Sequence, residues 1–312
     1  MNTGRPLVGS GPRLQLAVGL VLIALLAVAP TFFARLSLLF FILNWVVLSE
    51  SFNIFAGLTG YVNFGHVVFY GIGGYVSALL MTNANVSPYL AVLAGGAGSA
   101  LLALGISLPT TRLRGAYFAI ATLSISEAVF VIFDNWQAVG SAPGFTLPMP
   151  EYYLPLEQYY TMVAVTVACV ATAYLMTRSR FGVALRAIKQ QESTANSIGI
   201  NAAYYKTITL IISGFFAGLA GALAIWQITI IDPPSAFDIT ITVSSISMAM
   251  LGGLGTIVGP VIGGTILYGL SYYLGTNPVY QFTHLIILGV IIIAVVLVIP
   301  DGIVGAVRRL LA

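Results

Sequence analysis

Residues 207–230 read TITLIISGFFAGLAGALAIWQITI, a run without a single charged side chain. A helix needs about 20 mainly apolar residues to cross a hydrocarbon core of roughly 30 Å. Glycine and alanine recur inside the run, and small residues allow helices to pack closely in a membrane. The stretch therefore predicts a membrane-spanning helix.

The composition of the whole chain agrees with this interpretation. Of 312 residues, 59% are hydrophobic and only 7% are charged, whereas a soluble domain carries roughly 25% charged residues. A water-facing surface cannot be built from so few charges. A β-barrel would show short alternating segments, but the apolar runs here are long and continuous. We expect an all-α integral membrane protein that forms one transmembrane domain over residues 1–312.

Similar runs predict about ten spans. They lie at 14–33, 37–56, 62–82, 89–109, 115–133, 159–177, 207–230, 240–256, 258–275 and 281–299. Two regions, 57–66 and 240–276, carry closely spaced glycines and predict short, broken or re-entrant helices, which are tolerated at membrane depth only when buried in protein or lining a cavity. The first run exceeds the apolar core of a signal peptide, about 7–15 residues, so we expect it to be retained.

The distribution of lysine and arginine predicts the orientation, because cytoplasmic loops are enriched in these residues. With ten spans and a cytoplasmic N-terminus, every basic residue except Arg35 falls on the cytoplasmic side. Both termini are therefore expected in the cytoplasm, and residues 178–206 form a cytoplasmic loop between the sixth and seventh spans. The predicted outer loops hold acidic residues: Glu151, Glu157, Asp232 and Asp238.

The loop at 178–206 reads RSRFGVALRAIKQQESTANSIGINAAYYK and holds five of the twelve lysine and arginine residues. Apolar residues are interspersed with the charges, and Gly199 can end a helix. We expect two short amphipathic helices lying under the membrane. The alternative is a solvated loop that only follows the charge rule, but an apolar patch rimmed by charge usually marks a partner-binding surface.

Four stretches resemble one family of permeases. SRFGVALRAIKQQESTANSIGIN, within 178–206, resembles the coupling segment of permease subunits of ABC importers, and is most similar to the branched-chain amino acid group. The stretches SFNIFAGLTGYVNFGHVVFYGIGGYVSALL (51–80), TRLRGAYFAIATLSISEAV (111–129) and GGLGTIVGPVIGGTIL (252–267) resemble the same group in the same order. The resemblance covers roughly residues 40–300, and residues 178–206 are called the coupling segment below.

One detail departs from the general importer motif, which reads Glu-Ala-Ala, three residues, then Gly. The matching positions are Ser193, Thr194, Ala195 and Gly199, and the acidic residue lies one position earlier, at Glu192. Whether Glu192 contacts an ATPase is therefore left open.

The resemblance implies a fold of about ten helices and a set of partners. Two permease subunits, often non-identical, form the pore, each docks an ATP-hydrolysing subunit on the cytoplasmic face, and a binding protein delivers substrate from outside. The location implied is the plasma membrane of a bacterium or archaeon. Branched-chain or other small hydrophobic amino acids are the expected cargo, and urea, short amides or aromatic acids are alternatives within the family.

The sequence offers no chemistry of its own. It lacks the G-x-x-x-x-G-K-[ST] loop that cradles phosphates, and it lacks H-E-x-x-H and G-x-S-x-G. We expect no enzyme activity, cofactor, metal site or nucleic-acid partner, so ATP energy must arrive through a contact. The residues expected to couple the chain to an ATPase are Arg186, Ala187, Glu192, Ala195 and Gly199.

The glycine-rich stretch 57–66 is the first candidate for the transport pathway. Broken helices present unpaired backbone groups to a cavity, and such groups suit an ammonium and a carboxylate. Helix packing and a turn are the alternative. The candidate break residues are Gly57, Gly60 and Gly65, and the candidate pathway residues are Asn53, Tyr61, Asn63 and His66.

Two carboxylates fall inside predicted spans. Glu127 lies mid-span, where a bare carboxylate costs at least about 2.5 kcal/mol, so we expect it to face the bundle interior as a pathway residue or as a hydrogen-bonding link between two permeases. Glu50 lies nearer the end of its span, and we expect an interfacial role there. Because Glu127 stands nearly alone, a self-sufficient ion-coupled transporter or channel is the less favoured alternative.

The stretch 252–260 combines several glycines with a proline and cannot be a regular helix throughout. We expect a sharp turn that lines an inner gate or packs against a partner permease. Its candidate gate residues are Gly252, Gly255, Gly259 and Pro260.

Overall fold

The computed structural model describes residues 29–30, 35–147, 154–280, 283, 286–287, 289–290, 293 and 302–311. The predicted spans at 14–33 and 281–299 lie largely outside these residues, as does the outer-loop residue Glu151. The described part of the chain is almost entirely helical. Its helices are α1 (Leu36–Thr59), α2 (His66–Ala84), α3 (Pro88–Thr110), α4 (Ala116–Asn135), α5 (Pro155–Arg178), α6 (Arg180–Gln190), α7 (Glu192–Ser197), α8 (Ala202–Ile228), α9 (Pro233–Ala236), α10 (Ile239–Gly252), α11 (Val258–Thr276) and α12 (Gly302–Leu311).

Seven helical stretches in the described residues are long and apolar enough to cross a membrane. The all-α integral membrane fold is thus confirmed, whereas the count of ten spans is not. The seven are α1 to α5, α8 and the stretch Pro233–Gly252 that contains α9 and α10.

Helices α1 and α8 form the centre of the bundle. Helix α8 packs against α1, α2 and α3, and nearly all of its second half is buried. Small residues allow this close approach: a Cβ atom added to Gly73 of α2 would overlap the backbone of Gly218 of α8. The central helices are therefore held by backbone proximity as well as by side-chain packing.

A break segment, residues 60–65, separates α1 from α2. Helix α1 ends where Gly60 adopts a left-handed conformation with φ of 80° and donates its N–H to the carbonyl of Ala56 at 2.9 Å. Inside the segment, the side chain of Asn63 accepts from the N–H of Gly65 at 3.0 Å. The predicted break at 57–66 is present, but Gly57 lies within the last turn of α1.

A second interruption, the glycine turn at residues 253–257, joins α10 to α11. Gly253 and Gly255 have φ angles of 127° and 85°, which favour glycine. Pro260 occupies the first turn of α11, where a missing N–H leaves no hydrogen bond unmade. The helix predicted over 240–256 therefore ends at Gly252, and the expected sharp turn follows it.

A two-stranded antiparallel sheet lies at the far end of α8 from the coupling segment. Strands β1 (Phe145–Thr146) and β2 (Ile230–Ile231) pair with Phe145 opposite Ile231. Nearby, Tyr75 stacks on Phe237 with ring centroids 5.8 Å apart. The coupling segment and the sheet thus mark the two ends of the bundle.

Candidate functional site

The coupling segment folds into the two short helices expected of it, α6 and α7. The Ser179 hydroxyl accepts from the N–H of Gly182 at 3.3 Å and caps the start of α6. Gly199, two residues after the end of α7, has a φ of 88°, and the side chain of Asn201 accepts from the N–H of Tyr204 at the start of α8. Local capping therefore separates three helices within a short stretch of chain.

The two faces of α6 differ in character. Ala184, Leu185 and Ile188 are buried against the bundle. On the opposite face, Val183 and Arg186 are exposed, and the Arg186 guanidinium donates to the carbonyl of Thr177 at 2.9 Å. Helix α6 thus exposes one face that carries a basic and an apolar side chain, and it packs against the bundle through its other face.

The remaining coupling residues of the sequence prediction divide in the same way. Gly199 is exposed and Ala187 is half-buried, whereas Ala195 is buried with 2% of its surface exposed. The sequence prediction missed two exposed apolar side chains of this region, Ile198 and Tyr204. Their exposure depends on how α7 and α8 pack, which no sequence pattern indicated.

Glu192 is the centre of a charged cluster that faces the chain itself. Its carboxylate accepts a hydrogen bond from the Tyr61 hydroxyl. Each of its two oxygens lies 3.2 Å from the Nζ atom of Lys206. The Nε atom of Arg114 lies 3.9 Å from Oε1 of Glu192. The side chain of Glu192 is 14% exposed and that of Lys206 is fully buried. An ion pair in this setting is costly to separate.

Tyr61 connects this cluster to the break segment. The Nζ atom of Lys206 lies 4.4 Å from the centroid of the Tyr61 ring, a cation–π distance. Burial and the hydrogen bond to Glu192 both raise the pKa of the Tyr61 hydroxyl above its ordinary value, so the hydroxyl remains a donor. The sequence prediction placed Tyr61 on the pathway and missed Lys206, since its partner lies on another helix.

Lys189 makes a separate contact with the end of α1. Its Nζ atom donates to the carbonyl of Gly57 at 2.8 Å. That carbonyl is among the last of α1, where intrahelical partners run out and a cation is favourable. Burial lowers the pKa of Lys189 from its ordinary value. The coupling segment therefore touches both α1 and the break segment that follows it.

Asn53 joins α1 to the glycine turn. Its side-chain oxygen accepts from the N–H of Gly255 at 2.7 Å, and its amide donates to the carbonyl of Thr256 at 2.8 Å. The same amide lies 3.4 Å from a carboxylate oxygen of Glu50. Glu50 is fully buried, so the expectation of an interfacial position for it is wrong. Its carboxylate is therefore closed off from the surface of this chain.

Asn63 and His66 are also buried in this chain. Asn63 caps the N–H of Gly65 within the break segment. The Nε2 atom of His66 lies 3.0 Å from the Ser51 hydroxyl, and the centroid of its ring lies 5.7 Å from that of Phe52 in a T-shaped arrangement. Both residues therefore hold the start of α2 in place.

Glu127 does not lie in the interior of this chain, contrary to expectation. Helix α4 packs through Phe118, Thr122 and Ser126, which share one face at helical spacing. Glu127 follows Ser126 directly and is rotated onto an exposed face. It makes no hydrogen bond or ion pair with the residues that the structure describes. The sequence could not indicate this face, since α4 is apolar nearly all round.

Two open pockets flank Lys189. One, of about 480 Å³, lies between the break segment, the start of α4 and residues 188–192. The other, of about 590 Å³, lies between the end of α1, Arg186 and the glycine turn. The coupling segment, the break segment and the glycine turn thus meet around one lysine.

Residues 34–296 match the family described as the branched-chain amino acid transport system permease component. The chain belongs to this family. The match contains the coupling segment, the break segment and the glycine turn, which confirms the resemblance noted from the sequence.

Relatives of this permease-family chain include several named transport proteins. It is 24% identical over 253 residues to the high-affinity branched-chain amino acid transport system permease protein LivM of Salmonella typhimurium, a match that covers 72% of this chain and 59% of LivM. It is 27% identical over 290 residues to LivH of the same organism, with 84% and 91% covered. The D-allose transport system permease protein AlsC of Escherichia coli is 27% identical over 238 residues, with 72% and 71% covered. The chain thus spans less than two thirds of the length of LivM.

Proposed function

We propose that this chain is the permease subunit of an ATP-driven ABC importer, with one transmembrane domain over residues 1–312. The observation that carries the proposal is the coupling segment, a pair of short amphipathic helices fastened to the bundle, in a chain of a permease family. The sequence has no phosphate-binding loop. Mechanical contact with an ATPase therefore supplies the energy for transport.

In this proposal the coupling segment lies on the cytoplasmic side and docks into a groove of an ATPase subunit, two of which serve the complex. Arg186 pairs with an acidic residue of the ATPase, while Ala187 and Gly199 allow close approach. Glu192 and Ala195 act from inside, by fixing the shape of the segment against the bundle. When the two nucleotide sites close, the segment moves and the attached helices tilt with it.

A second permease subunit covers the exposed face of α4. That face carries apolar side chains around Glu127, and a carboxylate facing lipid costs at least about 2.5 kcal/mol. A non-identical partner is supported by the similarity to both LivM and LivH, two permease proteins that carry the same system name in one organism.

The substrate passes between the two permeases in this arrangement. Tyr61 and Glu127 are the least buried of the five candidate pathway residues, and we assign them direct contact with the cargo. The other three candidates shape the break segment beside the cargo; they are Asn53, Asn63 and His66. In this proposal the helices on either side of the break segment and the glycine turn reorient as the gate opens. The residues at these two interruptions are the glycines of both segments, together with Gly57, Gly252, Gly259 and Pro260.

The proposed cargo is a branched-chain or other small hydrophobic amino acid delivered by an extracytoplasmic binding protein. The complex then lies in the plasma membrane of a bacterium or archaeon, with both termini of this chain in the cytoplasm. The similarity to AlsC, a D-allose permease protein, makes a sugar the second candidate. Urea, short amides and aromatic acids are further members of the panel to be tested.

Reconstitution in liposomes tests the proposal. The full chain is incorporated with its partner permease, the ATPases and the binding protein, and uptake of labelled leucine, isoleucine, valine, D-allose, urea and phenylalanine is followed with and without ATP. ATP-dependent leucine uptake is expected. Uptake that needs no ATPase and follows an ion gradient would establish the ion-coupled alternative instead.

A charge reversal tests the docking surface within the same system. Arg186→Glu is expected to weaken association with the ATPases about tenfold, because it places like charges at the contact. Arg112→Glu is the matched control, since Arg112 is an exposed arginine outside the coupling segment. Equal association in both variants and the parent would remove the docking assignment.

A further inference from the structure

We propose that Lys189 and Glu192 are positioning residues that join the coupling segment directly to the break segment and the glycine turn, so that the three move as one body. This inference rests on the proposed function, because it concerns how movement of the coupling segment reaches the rest of the permease. It assigns the two residues a role in transmission and no contact with the ATPase.

The first link passes through Glu192. Its carboxylate holds the hydroxyl of Tyr61 in the break segment and the buried ammonium of Lys206 at the start of α8. Three separate pieces of chain therefore meet at one carboxylate. Displacing α7 from the break segment would break the hydrogen bond of Tyr61, and displacing it from α8 would strip the buried Lys206 of its counter-charge, which is strongly unfavourable.

The second link passes through Lys189. Its ammonium binds the carbonyl of Gly57, and its side-chain stem lies across Gly60, where an added Cβ would come within 3.1 Å of Cγ. Lys189 thus spans the last turn of α1 and the point where the break segment begins. The end of α1 cannot move away from α6 without breaking this contact.

The third link continues from α1 into the glycine turn. Asn53 holds the backbone of Gly255 and Thr256. At Gly57 the two backbones come so close that an added Cβ would lie 2.8 Å from the nitrogen of Gly255. A displacement of Gly57 by Lys189 would therefore also displace the glycine turn before α11.

Chain connectivity alone would not produce this path. The helices α6 and α7 are joined covalently only to α5 and α8, whereas the two interruptions at 60–65 and 253–257 belong to other helix pairs. Side-chain contacts at Lys189 and Glu192 bring both interruptions to the coupling segment. A switch of this kind needs packed elements with two discrete arrangements and a rigid connection between them.

The ratio of ATP hydrolysed to substrate transported tests the role of Lys189. Lys189→Met keeps the stem and removes the ammonium, and we expect the ratio to rise about fivefold while ATPase association is unchanged. Lys189→Arg can still donate to the carbonyl of Gly57, so its ratio of ATP hydrolysed to substrate transported is expected to match that of the parent. Arg112→Met is the control, because Arg112 is an exposed cation outside the coupling segment. A parental ratio in Lys189→Met overturns the proposal.

A distance measurement on the permease alone separates this inference from the proposed function. In a Cys169→Ala background, spin labels at Val62 and Thr194, both exposed, report the spacing of the break segment and α7. A narrow distance distribution is expected for the parent and for Arg112→Met, and a broadened one for Lys189→Met/Glu192→Gln. Unchanged width in the double variant overturns the rigid link, whatever the cargo or energy source. A narrow parental distribution together with failure of ATP-driven uptake would instead retire the importer function and leave the link standing.

Discussion

The Nζ atom of Lys206 lies 3.2 Å from both carboxylate oxygens of Glu192, and the lysine side chain is fully buried. Removal of one partner from a buried pair typically costs about 3–5 kcal/mol, because the remaining charge is left buried without compensation. Glu192 also accepts from Tyr61 and lies near Arg114. The loss of Glu192 is therefore more damaging than the loss of Lys206.

We expect Lys206→Met to lower the free energy of unfolding by about 3 kcal/mol, measured as a fall in the thermal midpoint of the purified chain in detergent. Glu192→Gln should lower it further, since the ammonium of Lys206 would lose its counter-charge inside the bundle. The double variant Lys206→Met/Glu192→Gln should recover part of the loss, because neither charge is then left alone.

Glu157→Gln is the control for this series, because Glu157 is an exposed carboxylate that pairs with the hydroxyl of Tyr89. Surface contacts of this kind contribute little to stability. If Lys206→Met and Glu157→Gln melted at the same temperature, the buried pair would contribute no more to stability than the exposed contact does.

The two lysines of the chain should differ sharply in chemical reactivity. Lys189 is an exposed residue, but its ammonium is partly buried, and this burial lowers its pKa. The side chain of Lys206 is fully buried. An amine reagent requires the neutral amine, so modification of Lys189 should reach half its maximal rate at a lower pH than a free lysine does. Mass spectrometry of labelled peptides measures this, and a Lys189→Arg variant identifies the site. Comparable labelling of Lys206 in the folded chain would contradict the observed burial.

The same lowered pKa sets the direction of a stability change with pH. Between the folded and unfolded pKa values of Lys189, the unfolded chain binds more protons, so stability attributable to this residue rises as pH increases through the folded value. A Lys189→Met variant should lack that rise. Thermal midpoints of the parent and the variant across mildly to strongly alkaline pH measure the difference, and parallel profiles would exclude it.

Hydropathy predicted seven of the eight spans that fall in the described residues; the predicted span at 258–275 is the helix Val258–Thr276, which is not among the stretches apolar enough to cross a membrane. The predicted 89–109 and 159–177 became Pro88–Thr110 and Pro155–Arg178, because a long apolar run satisfies its own backbone groups in lipid when it forms a helix. Glycine spacing was sufficient for both helix interruptions. Boundaries shifted by a few residues where caps such as Gly60 decide the end of a helix.

The direction of individual side chains could not be predicted from the sequence. Helix α4 is apolar nearly all round, so no periodic pattern indicated that Ser126 would be buried and Glu127 exposed. Lipid and protein interior are both apolar, and the signal that separates faces in a soluble helix is lost. The partners of Glu192 come from three distant parts of the chain, and no local spacing indicates such a meeting.

Gly57→Ala tests the close approach of α1 and the glycine turn. A methyl group at Gly57 would meet the backbone of Gly255 and the side chain of Asn53, and overpacking of this kind costs about 1–3 kcal/mol. We expect a lower thermal midpoint and loss of transport. Gly105→Ala is the control, since nothing lies within 4 Å of an added Cβ there, and it should melt at the parental temperature or above. Equal behaviour of the two variants would show that the approach at Gly57 is not tight.

Glu127 offers a test that separates a pathway role from a role between subunits. The residue is exposed on an apolar helix face, and a carboxylate there needs a polar neighbour that the described residues of this chain do not supply. Glu127→Leu removes the polar group and should abolish transport, while Glu127→Gln, which still forms hydrogen bonds, should retain part of it if the residue links two permeases. Co-purification of the partner permease decides between the roles: pairing lost in Glu127→Leu indicates the link, whereas pairing retained with transport lost indicates the pathway. Full transport by Glu127→Leu would contradict both roles and show that this face of α4 tolerates lipid.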